Sequence, residues 1–264
     1  MKTLYLCGGG NPEGVRLALT INRASCRWER IVLLDDDPTK HGRSVLGVEV
    51  AGPFQMLEAA SAESDEVVNL VARTTTRRQA AFDKLRVFGI PFATLIHPGV
   101  DTAGVTLGAN ITAYQSAIFC ALSKVAEGSV IFPAAVVGHG CHVGRGCVIA
   151  PGAVVNARVE VGEGVYVGTN ASILPDLKVG AWATIGSNSA VIEDVPPGAL
   201  VMGVPAQMLG KPHSHLNRDE ASAFAANAAV GQVGKPMRPQ RDPEENGLSR
   251  LRAAQREFIA SPAK

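Results

Sequence analysis

The sequence has little net charge and no long run of one sign. It contains 25 lysine and arginine residues against 24 aspartate and glutamate residues, which leaves a formal net charge of +1. Proteins that bind DNA or RNA through the phosphate backbone present a clustered basic surface. The composition therefore excludes nucleic acid as the expected partner.

Long apolar runs and a leader segment are also missing. No run reaches the roughly 18 apolar residues that a membrane-spanning helix needs. The chain begins with a strand-like segment in which Lys2 is the one basic residue, unlike the charged start of a signal peptide. We therefore expect a cytoplasmic protein with no membrane partner.

The cysteines do not form a recognisable framework. Their number, five, is odd, and no CxxC pair occurs among them. These features argue against a set of disulfides and against a zinc ribbon. We expect the five thiols to be reduced, and we expect no metal site.

The first hundred residues have the pattern of a parallel α/β unit. An apolar run at residues 3–7 is followed by a glycine turn at residues 8–10 and by a stretch suited to a helix at residues 13–23. Further strands are predicted at residues 31–34 and 66–72. A strand, a glycine turn, a helix and a strand in this order begin a Rossmann-like fold.

The glycine turn is the predicted ligand site of this unit, because small residues let a phosphate approach the N-terminus of a helix. The spacing of Gly8, Gly10 and Gly14 is not the GxGxxG fingerprint, so a nucleotide site and a plain tight turn both fit it. Asp35 and Asp36 follow the second strand, where a dinucleotide fold keeps its ribose-binding acid. Acids are also common in solvated turns, so this signal fits both interpretations as well.

Residues 101–196 have a six-residue period, which no helix has. Counted from Val137, the first position of each six is aliphatic ten times without exception, the fifth is mostly small, and glycine favours the second. One inward aliphatic side chain and one small residue at each bend suit a triangular prism of short parallel strands. Three sixes make a coil of about 18 residues, and the coils hold together by stacking.

The last segment differs in composition. Prolines interrupt residues 211–264, and polar residues dominate there. We expect an irregular extension with a short amphipathic helix at residues 244–260. The predicted domains are therefore an α/β domain at residues 1–98, a β-helix at residues 99–210 and a C-terminal extension at residues 211–264.

Motifs on both sides of the hexads add a resemblance. With Leu-Ile-His-Pro at residues 95–98 and Gly-Val-Pro-Ala at residues 203–206, residues 3–209 resemble the bacterial sugar acyltransferases related to sialic acid O-acetyltransferase and to the bacillosamine-pathway N-acetyltransferase. The resemblance implies a left-handed β-helix, a homotrimer, and acetyl-CoA as co-substrate in the groove between adjacent prisms.

The resemblance also implies roles for individual residues. The N-terminal domain would bind a nucleotide-linked amino sugar through Gly10, Asn11, Asp35 and Asp36. His139, at the third position of a hexad, matches the catalytic base of the family.

The chain departs from the family pattern beside that base. The acid that normally follows the histidine is Gly140, and a second family histidine, nine residues further on, is Val148. His139 then either acts alone, with its tautomer fixed by a backbone carbonyl or a neighbouring subunit, or is assisted by His142.

The coenzyme A positions also come from the resemblance. They match Val148, Thr169 and Ser187, which we expect at bends of successive coils, where backbone groups meet the pantetheine amides.

The expected function is therefore acetyl transfer from acetyl-CoA to the amine of a nucleotide-linked amino-dideoxy sugar. Two alternatives remain open: O-acetylation of sialic acid or another sugar hydroxyl, and a non-catalytic trimer that binds nucleotide sugars, which Gly140 and Val148 favour. A zinc hydratase of the carbonic anhydrase type is disfavoured, because within the regular hexads only His139 and His142 are histidines.

Overall fold

The computed structural model describes residues 2–209, which form an α/β unit followed by a prism of stacked coils. The predicted C-terminal extension at residues 211–264, with its helix at residues 244–260, lies outside the described residues.

The helices and strands of the α/β unit lie between residues 3 and 86, and the unit is built on a mostly parallel sheet. Its elements are β1 (Thr3–Cys7), α1 (Pro12–Ser25), β2 (Arg30–Leu34), β3 (Ser44–Val45), β4 (Val48–Gly52), β5 (Glu66–Asn69) and α2 (Thr75–Arg86), with 3-10 turns at Pro38–Lys40 and Phe54–Ala59. The strand order is β3-β4-β2-β1-β5. β4, β2, β1 and β5 run parallel, which is the strand order of the first half of a doubly wound sheet.

Helix α1 follows directly from the local sequence. The Asn11 side chain accepts a hydrogen bond from the Gly14 amide and caps the helix, and Pro12 occupies the first turn, where its missing N–H costs nothing. The buried face of the helix includes Val15 and Ala18. The helix predicted at residues 13–23 is thus present with slightly wider bounds.

One predicted strand is shorter than expected. The prediction extended it to residue 72, whereas β5 ends at Asn69. The Asn69 side chain accepts a hydrogen bond of 3.0 Å from the Val71 amide, which turns the chain out of the sheet.

The prism consists of very short strands. They are β6 (Leu95–Ile96), β7 (Thr106–Leu107), β8 (Thr112–Ala113), β9 (Ile118–Phe119), β10 (Lys124–Val125), β11 (Val130–Ile131), β12 (Val136–Val137), β13 (His142–Val143), β14 (Val148–Ile149), β15 (Val154–Val155), β16 (Glu160–Val161), β17 (Tyr166–Val167), β18 (Ser172–Ile173), β19 (Lys178–Val179), β20 (Thr184–Ile185), β21 (Ala190–Val191), β22 (Leu200–Met202) and β23 (Gln207–Met208).

These strands form three sheets, which are the faces of the prism. We call β7, β10, β13, β16 and β19 the charged face, and β9, β12, β15, β18 and β21 the apolar face. The remaining strands form the domain face, because the α/β unit packs on it. Neighbouring strands are parallel except β23, which is antiparallel to β22.

The coil length matches the predicted hexads. Val136 pairs with Val154 and Val154 with Ser172, so each coil advances by 18 residues. The ten first-position residues from Val137 to Val191 are all buried in one core cluster. The predicted hexapeptide prism is confirmed.

Glycine at the second hexad position is explained by coil spacing. A Cβ on Gly144 would lie 2.6 Å from the carbonyl carbon of Gly162 on the next coil. The fourth position turns the corner with positive φ, as at Gly140, Arg158 and Asp176, where φ is 67°, 57° and 63°. Non-glycine residues at this position accept a strained backbone so that the corner can close.

The α/β unit and the prism share a hydrophobic cluster. Val130 of the domain face is buried with Tyr114, Leu4 and Leu95. β6 already pairs with β8 in the domain face, three residues before the predicted boundary at residue 98. The division into separate domains stays a prediction.

Arg78 joins the two parts through its buried side chain. Its Nε donates to the carbonyl of Gly128 in the prism at 2.6 Å, and its Nη1 donates to the carbonyls of Asn69 and Val71 at 2.8 and 2.9 Å. Burial lowers the pKa of Arg78 to about 10, so the guanidinium stays charged at neutral pH. Backbone carbonyls supply the partners that a carboxylate often supplies for a buried arginine.

Neither α-helix in the described part of the chain has the length and apolar character needed to cross a bilayer.

Replacing Arg78 with methionine should lower the free energy of unfolding by roughly 3–5 kcal/mol, because two buried carbonyls and one partly buried carbonyl lose their donors. The control is Arg77→Met on the same helix, where the side chain is exposed and a change within about 0.5 kcal/mol is expected. Urea unfolding of the two variants measures the difference. Equal stability of the two variants would contradict this role for Arg78.

Candidate active site

His139 lies at an exposed bend of the prism. Residues 138–141, which we call the His139 corner, connect β12 of the apolar face to β13 of the charged face. The His139 carbonyl accepts a hydrogen bond of 2.9 Å from the Arg158 amide on the next coil. Within residues 2–209 the imidazole itself makes no hydrogen bond, so both ring nitrogens are accessible to a ligand.

His142, the alternative partner of that ring, lies on the charged face. It aligns with Lys124 and Glu160 in the strand ladder. It also lines an open groove of about 550 Å³ with Glu160, Lys178 and Asp194. No hydrogen bond joins His142 to His139 in the described structure, so assistance by His142 gains no support.

Gly140, which stands where the family has an acid, lies beside an ion pair. A Cβ on Gly140 would lie 3.4 Å from Cγ of Arg158. Arg158 in turn donates from Nε and Nη2 to the two carboxylate oxygens of Asp176, at 2.6 and 2.7 Å. The hydrogen bond from Arg158 lowers the pKa of the Asp176 carboxyl below its ordinary value, and the charges of Arg158 and His139 act in the same direction.

The cysteines near the corner are buried thiols. Cys141 Sγ donates to the carbonyl of Asn156 at 2.7 Å, and burial raises the pKa of this thiol. Cys147 Sγ donates to the carbonyl of Gly162 at 3.0 Å, and burial raises its pKa to about 12. Neither thiol is a nucleophile at neutral pH, because the reactive species is the thiolate.

The three residues expected to bind coenzyme A do not all lie at bends of the prism. Thr169 and Ser187 are exposed at the third hexad position of successive coils, on the corner between the domain face and the apolar face, which we call the Thr169 corner. The prediction that Val148 lies at a bend is wrong. It lies within β14, its side chain is 1% exposed, and its amide donates to the Val165 carbonyl.

The glycine turn is held by Asp35, one of the two predicted acids. The Gly9 amide donates to Oδ2 of Asp35 at 2.7 Å, and the same oxygen accepts a bond of 2.9 Å from Nζ of Lys40. Asp36 accepts from the Phe54 amide and from Nζ of Lys84. The structure therefore brings the turn and Asp35 together, while Asp36 faces a second set of partners.

Gly10 is open to a ligand, whereas the side chain of Asn11 is already hydrogen-bonded within the protein. The Asn11 amide nitrogen donates to the Leu70 carbonyl at 3.1 Å and to the Tyr114 hydroxyl at 3.0 Å, in addition to the cap of α1. Burial raises the pKa of Tyr114 to about 12, so this hydroxyl is neutral. Gly10 is exposed, and a Cβ on it would lie 3.8 Å from Nζ of Lys40.

Sequence reasoning missed Arg158, Asp176 and Lys40. The first two share hexad position four with Gly140 at steps of 18 residues, so reading whole coils instead of single hexads would have placed them beside His139. Lys40 had no periodic signal, because it reaches the turn from a 3-10 segment after β2.

Residues 2–209 contain no group of three or more histidine, cysteine, aspartate or glutamate side chains arranged to hold a metal ion.

Part of the prism is similar to a known protein family. Residues 123–157 match the family described as bacterial transferase hexapeptide (six repeats). A comparison with curated protein sequences found no match.

Two similar solved structures cover the α/β unit and the prism together. The acetyltransferase domain of PglB from Neisseria gonorrhoeae is 27% identical with a TM-score of 0.72, and the match covers 78% of this chain and 99% of that one. PerB from Caulobacter crescentus, in complex with CoA and GDP-perosamine, is 27% identical with a TM-score of 0.70, covering 79% and 97%.

A third structure supports the fold alone. WeeI from Acinetobacter baumannii is 18% identical with a TM-score of 0.61, and the match covers 79% of this chain and 100% of that one.

The family match and the similarity to PglB and PerB confirm the resemblance predicted from the sequence.

The thiols provide a test of the site geometry. In the native protein a maleimide at pH 8 should label Cys26 quickly and the half-buried Cys120 slowly, while Cys7, Cys141 and Cys147 react only after unfolding. Burial raises the pKa of all three protected thiols, which keeps the thiolate fraction small. Mass spectrometry of labelled peptides measures the order, and rapid native labelling of Cys141 would contradict the closed corner.

Proposed function

We propose that this chain, a hexapeptide-repeat acyltransferase related to the bacterial sugar acetyltransferases, transfers the acetyl group of acetyl-CoA to the amine of a nucleotide-linked amino sugar. The observation that carries the proposal is an accessible histidine, His139, at a prism corner of a fold similar over its described length to PglB and PerB.

The similar structures supply the chemical class. The PglB domain has been solved with acetyl coenzyme A, and the Caulobacter protein is a perosamine N-acetyltransferase solved with CoA and GDP-perosamine. The donor, acetyl coenzyme A, and the acceptor, a nucleotide-linked amino sugar, are thus taken from proteins that share both the α/β unit and the prism with this chain. This favours an amine acceptor over a sugar hydroxyl for this chain.

In the proposed reaction the amine nitrogen attacks the thioester carbonyl, and the carbon–sulfur bond breaks as the amide forms. His139 accepts the proton that the amine loses and returns it to the leaving thiolate, which departs as free coenzyme A. A backbone N–H group steadies the oxyanion of the tetrahedral intermediate.

The acceptor site would be the glycine turn. We assign Gly10, Asn11, Asp35 and Asp36 to the nucleotide sugar, in a Rossmann-like domain at residues 1–98. The short bond from Gly9 to Asp35 orders the turn for a ligand, and Gly10 is exposed beside it. Asn11 would act mainly by fixing the turn against Tyr114.

The donor site would lie between chains. We propose a left-handed prism at residues 99–210 that assembles as a cytoplasmic homotrimer, with Thr169 and Ser187 contacting coenzyme A. Val148 does not belong to this set, because it lies within β14 and its amide is bonded to the Val165 carbonyl.

The placement of the corners supports the trimer. The His139 corner lies opposite the domain face, whereas the Thr169 corner borders it. The glycine turn and the coenzyme A residues of one chain are therefore on the far side of the prism from their own His139. A cyclic arrangement supplies each site with the histidine of a neighbour.

The apolar face offers the surface for that contact. Its outward positions carry no charge, in contrast to the charged face, where lysine, histidine and glutamate alternate. These outward residues are Ile118, Val136, Val154, Ser172 and Ala190 on the apolar face and Thr106, Lys124, His142, Glu160 and Lys178 on the charged face. An uncharged face between the two functional corners is suited to burial against a second copy.

Thiol release from acetyl-CoA tests the base. His139→Ala should lower kcat/KM by about two orders of magnitude or more with nucleotide-linked amino sugars, because a general base contributes roughly 10²–10⁴-fold. His142→Ala is the matched control on the next strand and should retain the wild-type rate.

Other outcomes of the thiol-release assay would distinguish the alternative functions. Equal turnover by wild type and His139→Ala would show that substrate positioning alone carries the reaction. Release with hydroxyl sugars but not with amino sugars would favour O-acetylation. Binding of acetyl-CoA and nucleotide sugars without turnover would favour the non-catalytic trimer.

A further inference from the structure

We propose that Asp176 is the acid that serves His139 in this chain, in place of the acid absent at Gly140. In this role Asp176 is a positioning residue that stabilises the imidazolium formed when His139 takes the proton. The inference rests on the proposed function, because it assigns a partner to the proposed base.

The coil geometry places the two residues on one corner. Val136 pairs with Val154 and Val154 with Ser172, so positions 140, 158 and 176 stack on three successive coils. The Arg158 amide donates to the His139 carbonyl at 2.9 Å, and the Asp176 amide donates to the Ala157 carbonyl at 3.0 Å. Backbone hydrogen bonds thus fix the spacing along the whole corner.

Glycine at position 140 leaves room for a side chain from the next coil. Cγ of Arg158 lies 3.4 Å from the position of a Cβ on Gly140, so the arginine side chain occupies the space beside this residue. From there Arg158 holds both carboxylate oxygens of Asp176. The corner therefore has a carboxylate, but it is presented from two coils away and kept in place by an arginine.

The ion pair is suited to releasing this carboxylate. Arg158 and Asp176 are 54% and 62% exposed, and exposed ion pairs contribute little to stability. A positive charge on the His139 ring lowers the pKa of the Asp176 carboxyl, so the two groups interact by charge once the ring is protonated. When the ring becomes cationic, it adds a second positive charge that attracts this carboxylate, and the weak exposed pair with Arg158 lets the side chain turn toward the ring.

Protons and charge balance in this scheme. The amine proton moves to His139, and Asp176 remains an anion throughout. The proton then leaves His139 for the thiolate sulfur, which regenerates the neutral ring and free coenzyme A.

The test compares Asp176→Asn with Glu163→Gln. Glu163 forms the same kind of exposed pair, with Arg145 at 2.9 Å, on a different corner of the prism. Asp176→Asn should lower kcat roughly tenfold, a part of the contribution of a general base, with little change in KM for acetyl-CoA or the amino sugar. Glu163→Gln should change neither, and both variants should show similar thermal unfolding.

Rescue gives the second readout. Gly140→Asp restores an acid beside the histidine, and aspartate tolerates the positive φ of 67° at this position better than most residues. Adding this change to Asp176→Asn should recover most of the lost kcat. A purely structural role for Asp176 predicts no recovery.

The outcomes separate the two proposals. Wild-type kcat in Asp176→Asn, while His139→Ala is inactive, would overturn the inference and leave the proposed function intact. The inference would also be overturned if Asp176→Asn raised KM and unfolded at a lower temperature than the Glu163→Gln variant. Asp176 would then stabilise the fold and would not act on His139. Absence of turnover by wild type on every amino sugar would instead overturn the proposed function.

Discussion

The backbone hydrogen bonds between successive coils are the interaction on which the structure depends. Strands of two residues have no stability of their own, and each is held by the coil before and the coil after it. The 18-residue repeat keeps these bonds in register, as in the series Val136, Val154 and Ser172. It also explains glycine at Gly144, where any side chain would strike the next coil.

The same register determines the chemistry of the corners. Residues that are distant in sequence become neighbours at multiples of 18, so His139, Arg158 and Asp176 lie along one edge. Register alone separates Thr169 from His139 by placing them on opposite borders of the apolar face. In the proposed function, a single prism therefore carries two separate parts of the site, and the assembly of several chains would bring them together.

Much of this arrangement followed from the sequence, because burial inside a prism has a period that is visible at Val137 and its successors. Helix α1 was predictable from Asn11 and Pro12 for a similar reason, since capping is local. Val148 was misplaced although the register was visible in the sequence. It takes the sixth position of the hexad that begins at Val143, and this position lies within a strand, whereas Thr169 and Ser187 take the third position at a bend. Arg78 was missed since its partners are backbone carbonyls, which have no sequence signal.

The most direct test of a site shared between chains is complementation. His139→Ala would be mixed with a Thr169→Glu/Ser187→Glu chain, the two would be unfolded and refolded together, and thiol release would be measured with acetyl-CoA and an amino sugar. Random assembly of a cyclic trimer leaves about a quarter of the sites with both corners intact, so about a quarter of the wild-type rate is predicted. If the mixture is as inactive as each variant alone, while each variant still forms trimers, the site is contained in one chain and the account is wrong.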